Sequence, residues 1–88
     1  MSKRTKPEEP VTPEQAFAMV IRKRRLELGL LQLDLAASNE LDPSYVSKLE
    51  LGKRQPSLRT ILLLAKLLKT TPGALLDPVA EMIGKSKT

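Results

Sequence analysis

The chain has 88 residues, and its 41% hydrophobic and 28% charged residues are typical of one small globular domain. Its 15 Lys and Arg against 10 Asp and Glu give a net charge of +5, which favours a polyanionic partner, nucleic acid before anionic lipid. The chain has no Cys and no His. Disulfides, thiolate metal sites, zinc hydrolysis and Ser-His-Asp or Cys-His catalysis are therefore excluded, and we expect no enzyme, no metal and no cofactor.

The longest uninterrupted apolar run covers only residues 61–65, far below the roughly 20 residues that span a bilayer. The N-terminus is polar and lacks a signal-peptide core, so we expect a cytoplasmic protein without membrane contact. Phe17 and Tyr45 are the only aromatic residues, whereas readers of single strands or RNA usually stack several bases on aromatic rings. Duplex DNA is the favoured form of nucleic acid.

Residues 1–11 contain charge and proline and almost nothing to bury, which predicts a flexible arm. Downstream, Thr or Asp precedes proline four times, and each pair predicts a helix start, because the side-chain oxygen caps free amides and proline suits the first helical position. A fifth candidate cap is Ser57, and Thr12 with Gln15 matches a capping box. The four pairs are Thr12-Pro13, Asp42-Pro43, Thr71-Pro72 and Asp77-Pro78.

Apolar spacing of three and four residues after these starts predicts an all-α fold without strands. The predicted helices cover about residues 13–28, 32–38, 43–51, 58–68 and 72–76, with a last turn from Asp77 to Ile83. Gly29 and Gly52 are suited to end the first and third helices. We expect residues 12–77 to form the domain and residues 78–88 to form a C-terminal turn or short helix, then a disordered tail.

The second and third predicted helices are short and about four residues apart, which is the spacing of a helix-turn-helix. The small Ala36 lies where two such helices cross closely, and Leu41 is an apolar plug for the turn. Val46 and Leu49 are predicted to face the core. The outer side of the third helix then carries Ser44, Ser47 and Lys48.

These residues resemble the Cro/repressor-like (XRE) helix-turn-helix regulators, which include phage repressors, restriction-modification controller proteins and antitoxins. The resemblance covers roughly residues 17–76 and implies a compact five-helix lambda-repressor-like domain, with the helix-turn-helix in helices 2 and 3. It is carried by Ile21, Arg25, residues 29–32, 35–36, 44–50, 52–53, 56–58 and 64–65.

The resemblance also implies roles for individual positions. Because the third helix of the family enters the major groove, the candidate base-reading residues are Pro43, Ser44, Ser47 and Lys48. The candidate phosphate contacts are Gln32, Tyr45, Lys53 and Arg54. For these charged and polar residues, an ordinary solvated loop or helix face is the alternative. Within the basic run 22–25, which is otherwise expected to be solvated, Arg25 is implied to form an ion pair with Glu50.

A single reading helix contacts few base pairs, so we expect a homodimer on an inverted-repeat operator of double-stranded DNA, regulating transcription by occupancy. Apolar residues of the last helix and tail are assigned to the dimer interface; the alternative is that they close the monomer core. These residues are Leu75, Leu76, Val79, Met82 and Ile83. The main alternative function is an antitoxin-like or adaptor protein that acts chiefly by binding another protein.

Overall fold

The computed structural model describes residues 11–37 and 40–87, so most of the predicted N-terminal arm lies outside the described residues. Five helices follow one another, and the described ranges contain no strand, which confirms the all-α prediction. No helix in these ranges combines the length and apolarity that crossing a membrane requires. The helices are α1 (Pro13–Glu27), α2 (Gln32–Leu35), α3 (Pro43–Glu50), α4 (Leu58–Leu67) and α5 (Pro72–Lys87).

Four of the five predicted helix starts are confirmed by their caps. Thr12 and Gln15 form the complete capping box, with each side-chain oxygen accepting the other residue's backbone N–H at 3.1 Å. The Asp42 carboxylate accepts two backbone N–H groups of α3, at 2.9 and 3.3 Å. Ser57 and Thr71 each cap their helix with one bond, of 3.1 and 3.0 Å. Local side-chain chemistry thus sets where these helices begin.

Helix α2 is shorter than predicted, because it ends at Leu35 rather than at residue 38. Leu31 occupies the N-cap position, and its side chain has no hydrogen-bond acceptor. The Asp34 carboxylate instead accepts the Leu31 backbone N–H at 2.7 Å. Ala36 and Ala37 then donate to carbonyls three residues earlier, which is the tighter turn of a 3₁₀ helix. The α-helical part is therefore a single turn.

Helix α5 contradicts the predicted break at Asp77, since it runs through Pro78 for 16 residues. A proline inside a helix removes one hydrogen bond and crowds the preceding turn, at a cost of roughly 3 kcal/mol. Leu75 before the proline and Val79 after it are both buried, and Met82 packs on the same core one turn later. A break would withdraw the last two from the core, so tertiary packing overrides the local signal and the domain does not end at residue 77.

The core lies where α1 packs against α3 and α5. Ala36 and Leu41 are buried, as the helix-turn-helix spacing predicted, and so are Val46 and Leu49 of α3. One side of α3 is thereby fixed inward. The largest fully buried side chains are Ile21, Leu35, Val46, Leu49, Leu64, Leu68 and Leu75.

Three helices end on a residue with left-handed backbone. Gly29 and Gly52 have φ of 71° and 74°, and Lys69 after α4 has φ of 56°. In each case the N–H of the following residue bonds to the carbonyl five residues earlier, at 3.0, 3.0 and 2.9 Å. This is the Schellman motif, which favours glycine because a Cβ is strained in that conformation. Lys69 is the one non-glycine residue with this conformation among the described residues.

Lys69→Gly is expected to raise the free energy of unfolding by about 1 kcal/mol, because it removes the strain of a left-handed lysine. Gly29→Ala is the matched control, since an added Cβ there would contact nothing within 4 Å and only backbone strain is introduced. Urea denaturation should show the two variants shifting in opposite directions. A less stable Lys69→Gly variant would contradict this interpretation of the α4 end.

Candidate nucleic-acid interface

Helix α3 has one buried side and one accessible side. Val46 and Leu49 are buried in the core, and at 3.6 residues per turn Ser44, Ser47 and Lys48 lie on the opposite side. Ser44 is exposed, and the other two are half-buried. Pro43, at the first position of the helix, is exposed beside them. The four candidate base-reading residues are therefore grouped on the accessible side and the first turn of α3.

The candidate phosphate contacts flank this side of the helix-turn-helix. Lys53 and Arg54 are exposed in the connection that follows α3. Tyr45 is half-buried and packs against the core. Gln32, at the start of α2, is also half-buried, and its side-chain Nε2 donates to Glu50 Oε1 at 3.0 Å. The carboxamide has a second N–H, so this contact leaves one donor for another acceptor.

The ion pair implied between Arg25 and Glu50 is formed, and it is bidentate. Arg25 Nε donates to Glu50 Oε2 at 2.6 Å, and Nη2 donates to Oε1 at 2.9 Å. The two side chains are only 8% and 2% exposed. Arg25 Nη1 also donates to the Leu30 carbonyl at 2.8 Å. Together with the Gln32 contact, this network joins α1, the α1–α2 connection, α2 and the last residue of α3.

Both members of the pair are ionised at neutral pH. Burial alone would raise the pKa of Glu50, but hydrogen bonds from Arg25 and Gln32 and the charges of Arg25 and Arg22 outweigh it and hold that pKa below 4.5. The hydrogen bond to Glu50 raises the pKa of Arg25 against the opposing effect of burial. Because the folded pKa of Glu50 is lowered, its contribution to stability is present above about pH 4.5 and is lost as the pH falls through the folded value.

A second arginine of the basic run is structural, and sequence reasoning missed it. Arg24 Nε donates to the Leu68 carbonyl at 2.9 Å, and Nη2 donates to the Lys69 carbonyl at 3.1 Å. These carbonyls are at the C-terminal end of α4, where a positive charge also complements the helix dipole. No spacing in the sequence connects Arg24 with residues 44 and 45 positions later, so only the fold reveals this role.

The residues assigned to the dimer interface divide into two groups. Leu75 and Val79 are buried by their own chain. These two residues therefore close the monomer core, which was the alternative to a place in the dimer interface. Leu76 is exposed, and Met82 and Ile83 are half-buried. Only the second group is accessible to a partner.

Helix α4 exposes two large apolar side chains that the sequence analysis did not assign to a surface. Leu58 and Leu62 are one turn apart and more than half exposed. Between them in sequence, Ile61 lines a shallow hollow together with Leu76 of α5. Ile61 of α4 and Leu76 of α5 therefore lie beside each other.

In the described ranges, no group of three or more potential metal ligands is arranged to hold an ion. What the fold presents is a short α2, a supporting ion pair and an outward polar side of α3. This is the architecture of a helix-turn-helix. The helix-turn-helix family model matches residues 21–75, which is more than half of the chain, and the chain belongs to this XRE-type family of DNA-binding transcription regulators.

Solved structures of one controller protein are similar to the chain. The restriction-modification controller protein C.Esp1396I, solved as a tetramer with its natural 35 base-pair operator, is 30% identical with a TM-score of 0.71. That match covers 81% of this chain and 93% of the controller protein. A tyrosine-to-phenylalanine mutant of the same protein is 27% identical with a TM-score of 0.74, covering 88% and 98%. No curated protein sequence matches the chain significantly.

Arg25→Met alone is expected to destabilise the protein by about 3 to 5 kcal/mol, because it leaves the Glu50 carboxylate buried without its partner. The double variant Arg25→Met with Glu50→Leu should recover most of this loss, since no buried charge remains. Thermal and urea unfolding measure both effects. The cost of Arg25→Met should also shrink as the pH falls, because burial without the Arg25 partner raises the pKa of Glu50 and a protonated carboxyl is no longer a stranded charge.

A double variant no more stable than Arg25→Met alone would contradict the dominance of the stranded charge. Arg22→Met is a matched control, because Arg22 is exposed and forms no ion pair among the described residues. Its loss should cost less than about 1 kcal/mol.

Proposed function

We propose that the chain regulates transcription by binding, as a homodimer, an inverted-repeat operator, with α3 in the major groove. The observation that carries this proposal is the outward side of α3, where Ser44, Ser47 and Lys48 lie opposite the buried Val46 and Leu49. The similarity to C.Esp1396I, solved on its operator, supports it. Regulation then follows from occupancy of a promoter region, without any reaction on the DNA.

The outward side chains of α3 suit the edges of base pairs in the major groove. The hydroxyls of Ser44 and Ser47 both donate and accept, so they are compatible with either base of a pair. Lys48 is a donor for the O6 and N7 acceptors of guanine. Pro43 has no polar group and is suited only to apolar contact, such as with a thymine methyl. Most of the direct readout is therefore assigned to the other three residues.

Affinity is assigned to contacts with the DNA backbone. Lys53 and Arg54 are exposed beside the end of α3, where their charges can meet phosphates on either side of the groove. The free N–H of Gln32 and the hydroxyl of Tyr45 add uncharged donors. A net charge of +5 adds a general attraction that weakens with salt.

A homodimer supplies the second half-site that one α3 cannot read. The surface proposed for it is the accessible apolar side of α4 and α5, formed by Leu58, Leu62 and Leu76, with Ile83 and Met82 at its edge. Large exposed apolar side chains on two neighbouring helices are typical of a subunit contact. The buried Leu75 and Val79 support that surface from within each monomer.

Selection of bound sequences from random duplex DNA should yield an inverted repeat. On that site, Lys48→Ala is expected to cost about 1 to 3 kcal/mol and to relax the preference at one base pair of each half-site. Lys53→Ala should instead weaken binding to selected and random DNA alike. It should also reduce the slope of log affinity against log salt concentration by about one, because one phosphate contact is lost. Titrations at several salt concentrations separate the two effects. Equal loss of specificity in both variants, or no enriched sequence, would argue against this assignment.

Leu62→Gln and Leu76→Gln are expected to weaken self-association, each raising the dimer dissociation constant by about tenfold or more, because each removes an apolar side chain from the contact. Leu33→Gln is the control, as Leu33 is also an exposed leucine but lies on α2, outside the proposed surface. Sedimentation equilibrium measures the constants, and thermal melts verify that the monomers remain folded. Unchanged association in both α4 and α5 variants would exclude this interface.

A further inference from the structure

Helix α1 has apolar side chains on the side that faces away from the core. Met19 and Leu26 are 57% and 52% exposed and are two helical turns apart, on the side opposite the buried Phe17 and Ile21. Leu51, just after α3, is 63% exposed. An ordinary surface helix is polar on this side. Several large apolar residues in one exposed place are typical of a surface that contacts another protein.

These three residues line a single shallow groove, whose other wall is formed by Pro78 and Met82 of α5. The groove contains neither the outward residues of α3 nor the exposed leucines of α4. It is therefore distinct from the proposed DNA-reading surface, and it meets the proposed dimer surface only at Met82. Neither of those proposals accounts for its exposed side chains.

The unpaired charge of this groove is positive. Arg22 and Lys23 are exposed within its lining, and neither forms an ion pair in the part of the chain that the structure describes. The two carboxylates in the lining are already engaged, because Glu50 accepts both bonds from Arg25 and Glu27 lies 3.8 Å from Arg24. A ligand that combines apolar and acidic groups would complement this groove.

We propose that the groove docks an acidic amphipathic helix of a partner protein. The partner's apolar residues would contact Met19, Leu26 and Leu51, and its carboxylates would pair with Arg22 and Lys23. Seven residues of helix span about 10.5 Å, which matches the spacing of the i and i+7 anchors on a docked helix. Because the groove excludes the outward side of α3, such a partner can bind while α3 remains on DNA.

The same observations disfavour two other occupants. A second copy of the chain has a net charge of +5, and a symmetric contact through this groove would oppose two pairs of unpaired cations. A DNA backbone would pair with Arg22 and Lys23 but would offer no apolar surface for Met19 and Leu26. An acidic amphipathic helix complements both the apolar and the basic residues of the groove.

The test uses the full chain, isotope-labelled for NMR, and two synthetic helical peptides. Both peptides carry leucines at positions i, i+4 and i+7, and their flanking positions are glutamate in one and lysine in the other. The glutamate peptide should shift the signals of Met19, Leu26 and Leu51 and bind at least about tenfold more tightly than the lysine peptide, with a difference that decreases at high salt. Arg22→Gln with Lys23→Gln should remove most of that difference.

Met19→Gln with Leu26→Gln should abolish peptide binding while leaving operator affinity and dimerisation unchanged, since both residues are exposed and outside those surfaces. Leu33→Gln is the matched control and should bind the glutamate peptide normally. Equal binding of the two peptides, or shifts confined to α3 or to the leucines of α4, would overturn the proposal. Loss of operator affinity in the double glutamine variant would assign the groove to DNA, and loss of dimerisation would assign it to self-association.

Discussion

The bidentate contact between Arg25 and Glu50 is the interaction on which the arrangement of the helix-turn-helix depends. Helix α2 has four residues and α3 has eight, and helices of this length are not stable alone in water. Their positions are set by contacts with the rest of the domain. Bidentate contact with the planar guanidinium requires one orientation of the carboxylate. The pair therefore fixes the distance and the angle of the end of α3 relative to α1.

Removing the charges of Arg25 and Glu50 from water costs free energy. This cost cancels much of the stability that their attraction contributes. The network instead fixes the relative positions of the helices. Arg25 also donates to the Leu30 carbonyl, and Gln32 of α2 donates to Glu50. The turn before α2, the start of α2 and the end of α3 are thus connected to one side chain of α1. Val46 and Leu49 anchor the other side of α3 without specifying its angle to the same degree, since apolar packing is not directional.

The residues taken alone predict the features that are encoded locally, and they do not predict the features that distant elements decide. The capping chemistry of Thr12 and Asp42 is contained within four residues, and both helix starts followed from it. The Arg25 pair came from the family resemblance, because no local pattern connects residues 25 positions apart. Pro78 shows the limit most plainly: its local preference is to end a helix, and burial of Val79 on the far side outweighs it.

Exposed leucines of a small domain do not by themselves require an explanation, because folded proteins cover much of their surface with apolar atoms. The grouping of exposed apolar residues along the sides of α5 does require one. One side of α5 presents Leu76 next to α4, another side presents Met82 to the groove beside α1, and Leu75 between them fills the core. An uninterrupted α5 is needed to hold both surfaces at fixed positions. The persistence of the helix through Pro78 therefore couples the proposed dimer contact and the proposed partner groove to the same rigid element.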